Sequence, residues 1–163
     1  MVIHLIRHAH AGARSQWVGD DTLRPLSEKG WLQTHQIGQA LREVGIDTLW
    51  SSSYLRCRQT MEPLAEHLGM DIHDQADLAE GAGGGACLDL LLAGAAEGRT
   101  IAACSHGDVI PALVATALGR GASLEGPAAL KKGARYVLHV IDGAVGRIEH
   151  HPVPDVTVGA NAG

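Results

Sequence analysis

The chain has 163 residues, of which 45% are hydrophobic and 19% charged, with a formal net charge of −5 and no phenylalanine. Such a composition suits one globular domain whose core is assembled from Leu, Val, Ile and Ala. The acidic balance argues against nucleic acid as a partner, no apolar run is long enough for a membrane span, and Arg7 and His8 inside the first apolar run argue against a signal peptide.

Val2 to Ile6 reads as strand one, running straight into Arg7-His8. Residues 10–24 are polar, a loop carrying Arg14, Trp17, Asp20, Asp21 and Arg24. Pro25-Leu26-Ser27-Glu28 opens a helix with Ser27 as N-cap; Leu32, Ile37, Ala40, Leu41 and Val44 keep helical spacing, and Gly45 ends it. Ile46 to Trp50 is a short strand, and Ser51-Ser52-Ser53 turns into a second helix from Tyr54 to Leu68, closed by Gly69, with Pro63 as a point of kinking or shortening. Asp71 to Leu78 reads as extended, Gly81 to Gly85 as a mobile loop, and Cys87 to Ala96 as an apolar helix ending at Gly98. Thr100 to Cys104 is a buried strand. Ser105-His106-Gly107-Asp108 leads from it into the helix Val109 to Leu118, whose first turn tolerates Pro111.

A loop from Gly119 to Lys132 follows, then Ala134 to Ile141 and Val145 to His150 flank Asp142-Gly143, a hairpin signal. Residues 152–163 are expected to fray. Alternating strands and helices predict a three-layer α/β/α sandwich over residues 1–151, a single domain with a mostly parallel central sheet and helices on both faces. Cys57, Cys87 and Cys104 are odd in number and form no Cys-x-x-Cys pair. They point to a reducing compartment, with the cytoplasm as expected location, and away from a thiolate metal site.

Three strand ends carry polar residues: Arg7-His8 after the first, Ser52 with Arg56 and Arg58 after the second, and Ser105-His106-Gly107 after Thr100–Cys104. In parallel strands these tips share one edge of the sheet, where ligands of open α/β folds bind. Two Arg and two His around one point suit a tetrahedral dianion, because guanidinium forks match phosphate oxygens, and the N–H groups opening the helix after His106 add donors. Residues 1–60 hold seven of the 13 Lys/Arg and only five of the 18 Asp/Glu, so the basic charge is local within an acidic protein. That distribution fits a small anion, not a long polyanion. Phosphoryl transfer needs charge stabilisation, an in-line nucleophile and an acid for the leaving oxygen; one imidazole can help with the first while the other forms a covalent intermediate.

Leu5-Ile6-Arg7-His8-Ala9, Ser51-Ser52-Ser53-Tyr54-Leu55-Arg56-Cys57-Arg58-Gln59-Thr60 and Cys104-Ser105-His106-Gly107-Asp108 resemble, in order, the three signatures of the histidine phosphatase (phosphoglycerate mutase-like) superfamily. Arg24-Pro25-Leu26-Ser27-x-x-Gly30 also resembles the segment that family places after its first loop. Ala9 stands where most members have Gly, and Ser53 where they have Pro. The resemblance implies a phosphoglycerate mutase-like fold, His8 as the phosphorylated nucleophile, and Arg7, Arg56 and His106 as holders of the phosphoryl group. It also suggests Glu80 as general acid, with Asp20, Asp21, Asp77 and Asp108 competing. Gly107, at the helix start after His106, and Lys132, in the loop after the third signature, are further candidate contacts to substrate.

The short chain, lacking the insertions that wall a mutase site, is similar to compact SixA-type phosphohistidine phosphatases. It is also similar to the phosphatase-like domain that follows a Nudix domain in some bacterial hydrolases, although it has no Nudix box. The expected activity is therefore a metal-independent phosphatase working through phosphohistidine, without a cofactor. Its partner would be a phosphorylated protein or a small phosphorylated metabolite, such as a nucleotide; a phosphate-binding pseudoenzyme is the alternative of another class. His8-x-His10, extended by His4, resembles a metal pair in spacing but lacks carboxylate or thiolate partners. His10 and Arg58 read as rim residues, and His139, His150 and His151 as surface or packing residues.

Overall fold

The computed structural model describes residues 1–155. Its elements in chain order are β1 (Val2–Arg7), α1 (Glu28–Leu41), β2 (Thr48–Ser51), α2 (Leu55–Leu68), β3 (Ile72–Asp74), α3 (Gly84–Ala96), β4 (Ile101–Ser105), α4 (Val109–Gly119), β5 (Ser123–Glu125), β6 (Arg135–Ile141) and β7 (Ala144–His151). Short 3-10 turns lie at Arg14–Gln16, Asp21–Leu23 and Ala76–Leu78. Among the described residues the strands form one sheet in the order β3-β2-β4-β1-β6-β7-β5. Neighbours run parallel except β1 with β6 and β6 with β7.

Strand alternation divides the core into two layers. Ile3 and Leu5 of β1 with Ile101 and Ala103 of β4 face α3 and α4. Ile6, Ala102 and Cys104 point the other way, onto Ile37 and Leu41 of α1 and Met61 and Leu64 of α2. β1 and β4 are buried on both faces, which explains why they read as continuous apolar runs. The α/β/α sandwich with a mostly parallel sheet is thus the observed architecture.

Several local expectations differ from the structure. The buried side of α1 is Gly30, Gln33, Thr34, Ile37, Gly38 and Leu41, whereas Leu32 and Val44 are exposed. The polar members of that side serve the loop after β1: the His10 N–H donates to Gln33 Oε1 at 2.9 Å. Ser27 caps α1 as expected, accepting from the Gly30 N–H, and α2 runs through Pro63 without interruption to Gly69. Asp71 to Leu78 is only partly extended, since Ala76–Leu78 is a 3-10 turn.

The Gly-rich stretch is no loose loop over its whole length. Gly84 and Gly85 open α3, and Gly84 lies so close to α4 that a Cβ would collide with the Ala112 backbone. The expected loop from Gly119 to Lys132 contains β5, which pairs with β7 in parallel. Its three residues are too few and too polar to show a period. Of the tail expected to fray, residues 156–163 lie outside the described residues, while Val153 packs against the core.

Candidate active site

β1, β2 and β4 are parallel neighbours, so their carboxyl ends deliver Arg7-His8, Ser51-Ser52 and Ser105-His106 to one edge. The chain is pinned there by backbone bonds: the His8 N–H donates to the Ser105 carbonyl (3.1 Å) and the Ser52 N–H to the Cys104 carbonyl (3.0 Å). From the other side the Gly133 N–H donates to the carbonyls of Arg7 and His8, which brings the segment carrying Lys132 over the strand end. The result is a cavity of about 270 Å³ lined by Arg7, His8, Arg14, Arg24, Arg56 and His106, together with Glu80, Gly107, Asp108 and Lys132.

His8 is 5% exposed. Its Nδ1 lies 2.9 Å from the Ala9 carbonyl. A carbonyl only accepts, so Nδ1 carries the proton and Nε2 the lone pair. Burial, joined by the charges of His106, Arg56 and Arg7, lowers the His8 pKa to about 3, against a smaller upward pull from the Ala9 bond. The ring is therefore neutral near pH 7. Ala9 is fully buried with its N–H donating to Thr60 Oγ1 (3.0 Å), and the Thr60 hydroxyl donates to the Arg56 carbonyl (2.6 Å). Thr60 thus ties the first signature segment to the second.

His106 stands edge-on to His8, with ring centroids 5.4 Å apart, and edge-on to Tyr54 at 4.7 Å. Its Nε2 is 2.8 Å from Ser52 Oγ, which itself accepts from the Tyr54 N–H. The same Nε2 lies 3.5 Å from Cys57 Sγ. His106 Nδ1, Arg7 Nε and Arg56 Nε are buried without a protein partner.

Arg7 is held by its Nη1 donating to the Leu130 carbonyl (2.7 Å) and lies flat against Gly107, where a Cβ would stand 2.5 Å from Nη2. Glycine at this position is the space the guanidinium occupies. Arg56, only 1% exposed, donates to the Asp21 carbonyl and to Asp21 Oδ2, and stands 3.6 Å from Glu80 Oε2. Lys132 has its pKa lowered by partial burial and by Arg7, Arg24, Arg56 and Arg14, a sign of the positive field across the cavity.

Among the carboxylates weighed as acids, Glu80 and Asp108 line the cavity. Glu80 pairs with Arg14 at 2.5 Å, and Asp108 accepts from the Gly81 N–H at 2.8 Å. Burial works upward on the Asp21 pKa, but Arg24, Arg56 and Arg14 outweigh it and hold the group ionised. Asp20 accepts from the Thr22 N–H in its own turn, and Asp77 is not part of the lining. Arg58 stands apart, paired with Asp74. His10 sits at the rim with Nδ1 2.6 Å from Ser27 Oγ. Among the described residues no group of three His, Cys, Asp or Glu is placed to hold a metal ion.

Arg14 and Arg24 are cavity residues that strand-end reasoning did not single out. Arg24 is buried, bonded to Asp21 and to the carbonyls of Ala11 and Gly12. The signal for it was the Arg-Pro-Leu-Ser-x-x-Gly segment, whose Ser27 N–H and hydroxyl both donate to the His10 carbonyl and so dock this loop on α1. No local pattern marks Arg14.

The sequence profile of the histidine phosphatase superfamily (branch 1) matches residues 3–87. The 8-oxo-(d)GTP phosphatase of Mycolicibacterium smegmatis is 33% identical over 154 residues, which is 93% of this chain and 48% of that protein. The chain spans about half or less of the curated relatives it matches. In fold it is similar to the protein histidine phosphatase SixA in its tungstate complex, with a TM-score of 0.74 at 21% identity, covering 93% of this chain and 94% of that one. It is also similar to the alpha-ribazole phosphatase of Shigella flexneri, with a TM-score of 0.67 at 15% identity, covering 96% and 97%. No helix among the described residues is long and apolar enough to cross a membrane.

Proposed function

The chain belongs to the histidine phosphatase superfamily, and on that footing we propose that residues 1–151 form a metal-independent phosphatase with His8 as nucleophile. Nε2 of His8 attacks phosphorus in line; the P–Nε2 bond forms as the bond to the leaving atom breaks, the ester oxygen of a phosphomonoester or the imidazole nitrogen of a phosphohistidine. Glu80 delivers the proton to that atom. Water, deprotonated by the same carboxylate, then attacks the phosphohistidine and releases inorganic phosphate. Arg7, Arg56, His106, Lys132 and the Gly107 backbone hold the phosphoryl oxygens, supplying the charge stabilisation that the transition state needs. The observation that carries this reading is the Nδ1 bond of His8 to the Ala9 carbonyl, which makes Nε2 a neutral, lone-pair nitrogen amid guanidinium groups.

The substrate is a phosphorylated compound reaching an open pocket, either phosphohistidine on a protein or a phosphomonoester. The name of the Mycolicibacterium smegmatis relative favours a small-metabolite or nucleotide phosphate. A phosphate-binding protein without turnover is the opposing reading, and the intact nucleophile speaks against it.

The test is hydrolysis of p-nitrophenyl phosphate and of a phosphohistidine-bearing protein with chelator present, comparing wild type with His8→Ala. Chelator-resistant turnover of either compound, lost by at least roughly 10³-fold in the variant, is expected from removal of a covalent nucleophile. Activity that survives His8→Ala, or that chelator abolishes, overturns the reading.

A further inference from the structure

Beside the catalytic cavity lies a larger groove of about 640 Å³, lined by Arg7, His10, Lys29, Gln33, Lys131, Lys132 and residues 153–155. Arg7 and Lys132 line both spaces, so the groove continues the cavity and is not a separate depression. Four cationic side chains face one carboxylate, Asp155, in a protein whose net charge is −5. Lys29 comes from the first turn of α1, and Lys131-Lys132 from the segment clamped over the end of β1 by the Gly133 bonds. Two structurally independent parts of the chain therefore set lysines around one space.

From this juxtaposition we propose that the groove is a second anion subsite, and that the natural substrate is a small compound carrying two neighbouring phosphate groups. The scissile phosphate occupies the cavity and the next one lies between Lys29, Lys131 and Lys132. This rests on the phosphatase reading and narrows its substrate class. His10 lines the same groove, and its pKa is lowered first by burial and then by Lys132 and Lys29, in keeping with that cluster of charge. A ligand with a single phosphate leaves Lys29 and Lys131 unused; one with two brings charge to all the cations, and phosphate oxygens accept from each ammonium. The remaining floor, Val153 and Pro154, offers apolar contact to the group that bears the phosphates.

Binding of two unhydrolysable probes by titration calorimetry tests this. Methylenediphosphonate carries two neighbouring phosphonates, and methylphosphonate one. In the wild type the diphosphonate is expected to bind about tenfold or more tightly than the monophosphonate, the scale of one charge-assisted contact. In Lys29→Ala/Lys131→Ala that advantage should fall to about twofold with methylphosphonate affinity unchanged. Equal affinities in the wild type, an advantage that survives the double replacement, or binding of neither probe overturns the proposal. So does a parallel loss of methylphosphonate affinity, which would assign the lysines to the cavity itself. Turnover of p-nitrophenyl phosphate and of the phosphohistidine-bearing protein by the same preparations reports separately on the His8 mechanism.

Discussion

At the scale of single residues, the site is built on the His8 imidazole, kept neutral, and on guanidiniums kept in place. Burial lowers His8 to about 3 and His4, whose ring nitrogens are both unpartnered, to about 4. The unfolded chain binds these protons as pH falls through about 6.5. Between that value and the folded pKa values the unfolded state holds more protons, so stability falls as pH drops through this window. Ring nitrogen spectra should show His8 protonated at Nδ1 only and not titrating above pH 5; a midpoint near 6.5 would contradict the burial argument. Gly107→Ala is a second case. Its Cβ meets the Arg7 guanidinium, a side chain that can yield by giving up its bond to the Leu130 carbonyl, so stability should fall by only about 1 kcal/mol. The displaced guanidinium should lower kcat/KM by roughly 10²-fold, the penalty of misplacing a positioning group. Arg7, His8, Arg56 and His106 were legible as candidates because each follows or adjoins a strand end. The roles of Arg24 and Thr60 were not, since they depend on contacts between segments distant in sequence.

At the scale of elements, hydrophobic period located the long helices and the buried strands and failed where another force decided. α1 buries Gln33 and Thr34 at positions where an apolar stripe would continue past Leu32, because the Gln33 side chain must reach the His10 N–H. β5 is an edge strand whose pairing with β7 is set by tertiary contact, not local propensity. The glycines that open α3 read as flexibility in one dimension and prove to be close packing in three. Neighbouring positions should therefore respond oppositely. Gly84→Ala forces the α3–α4 contact apart and should cost about 1–3 kcal/mol. Gly85→Ala has open space at its Cβ and should gain up to about 1 kcal/mol from helix propensity. Thermal unfolding of the two variants checks the pair, and a similar shift in both would refute the packing account.

At the scale of the whole molecule, the sheet separates chemistry from construction. Every residue placed in the cavity comes from the carboxyl ends of β1, β2 and β4 or from segments that fold over them. β6 runs antiparallel to β1, with Ile6 opposite Arg135 and Val2 opposite His139. The chain therefore leaves the site along β6 and reverses at Asp142-Gly143, at the far end of the strands. That turn is exposed and made by two residues with positive φ. A fluorescent domain grafted between Asp142 and Gly143 on flexible arms should leave phosphatase turnover within about twofold, as exposed loop tips accept insertions; a large loss would mean that this end communicates with the site. The hairpin is thus a natural port, a place where the protein can be wired to a reporter or tethered to a support with its reactive mouth turned outward.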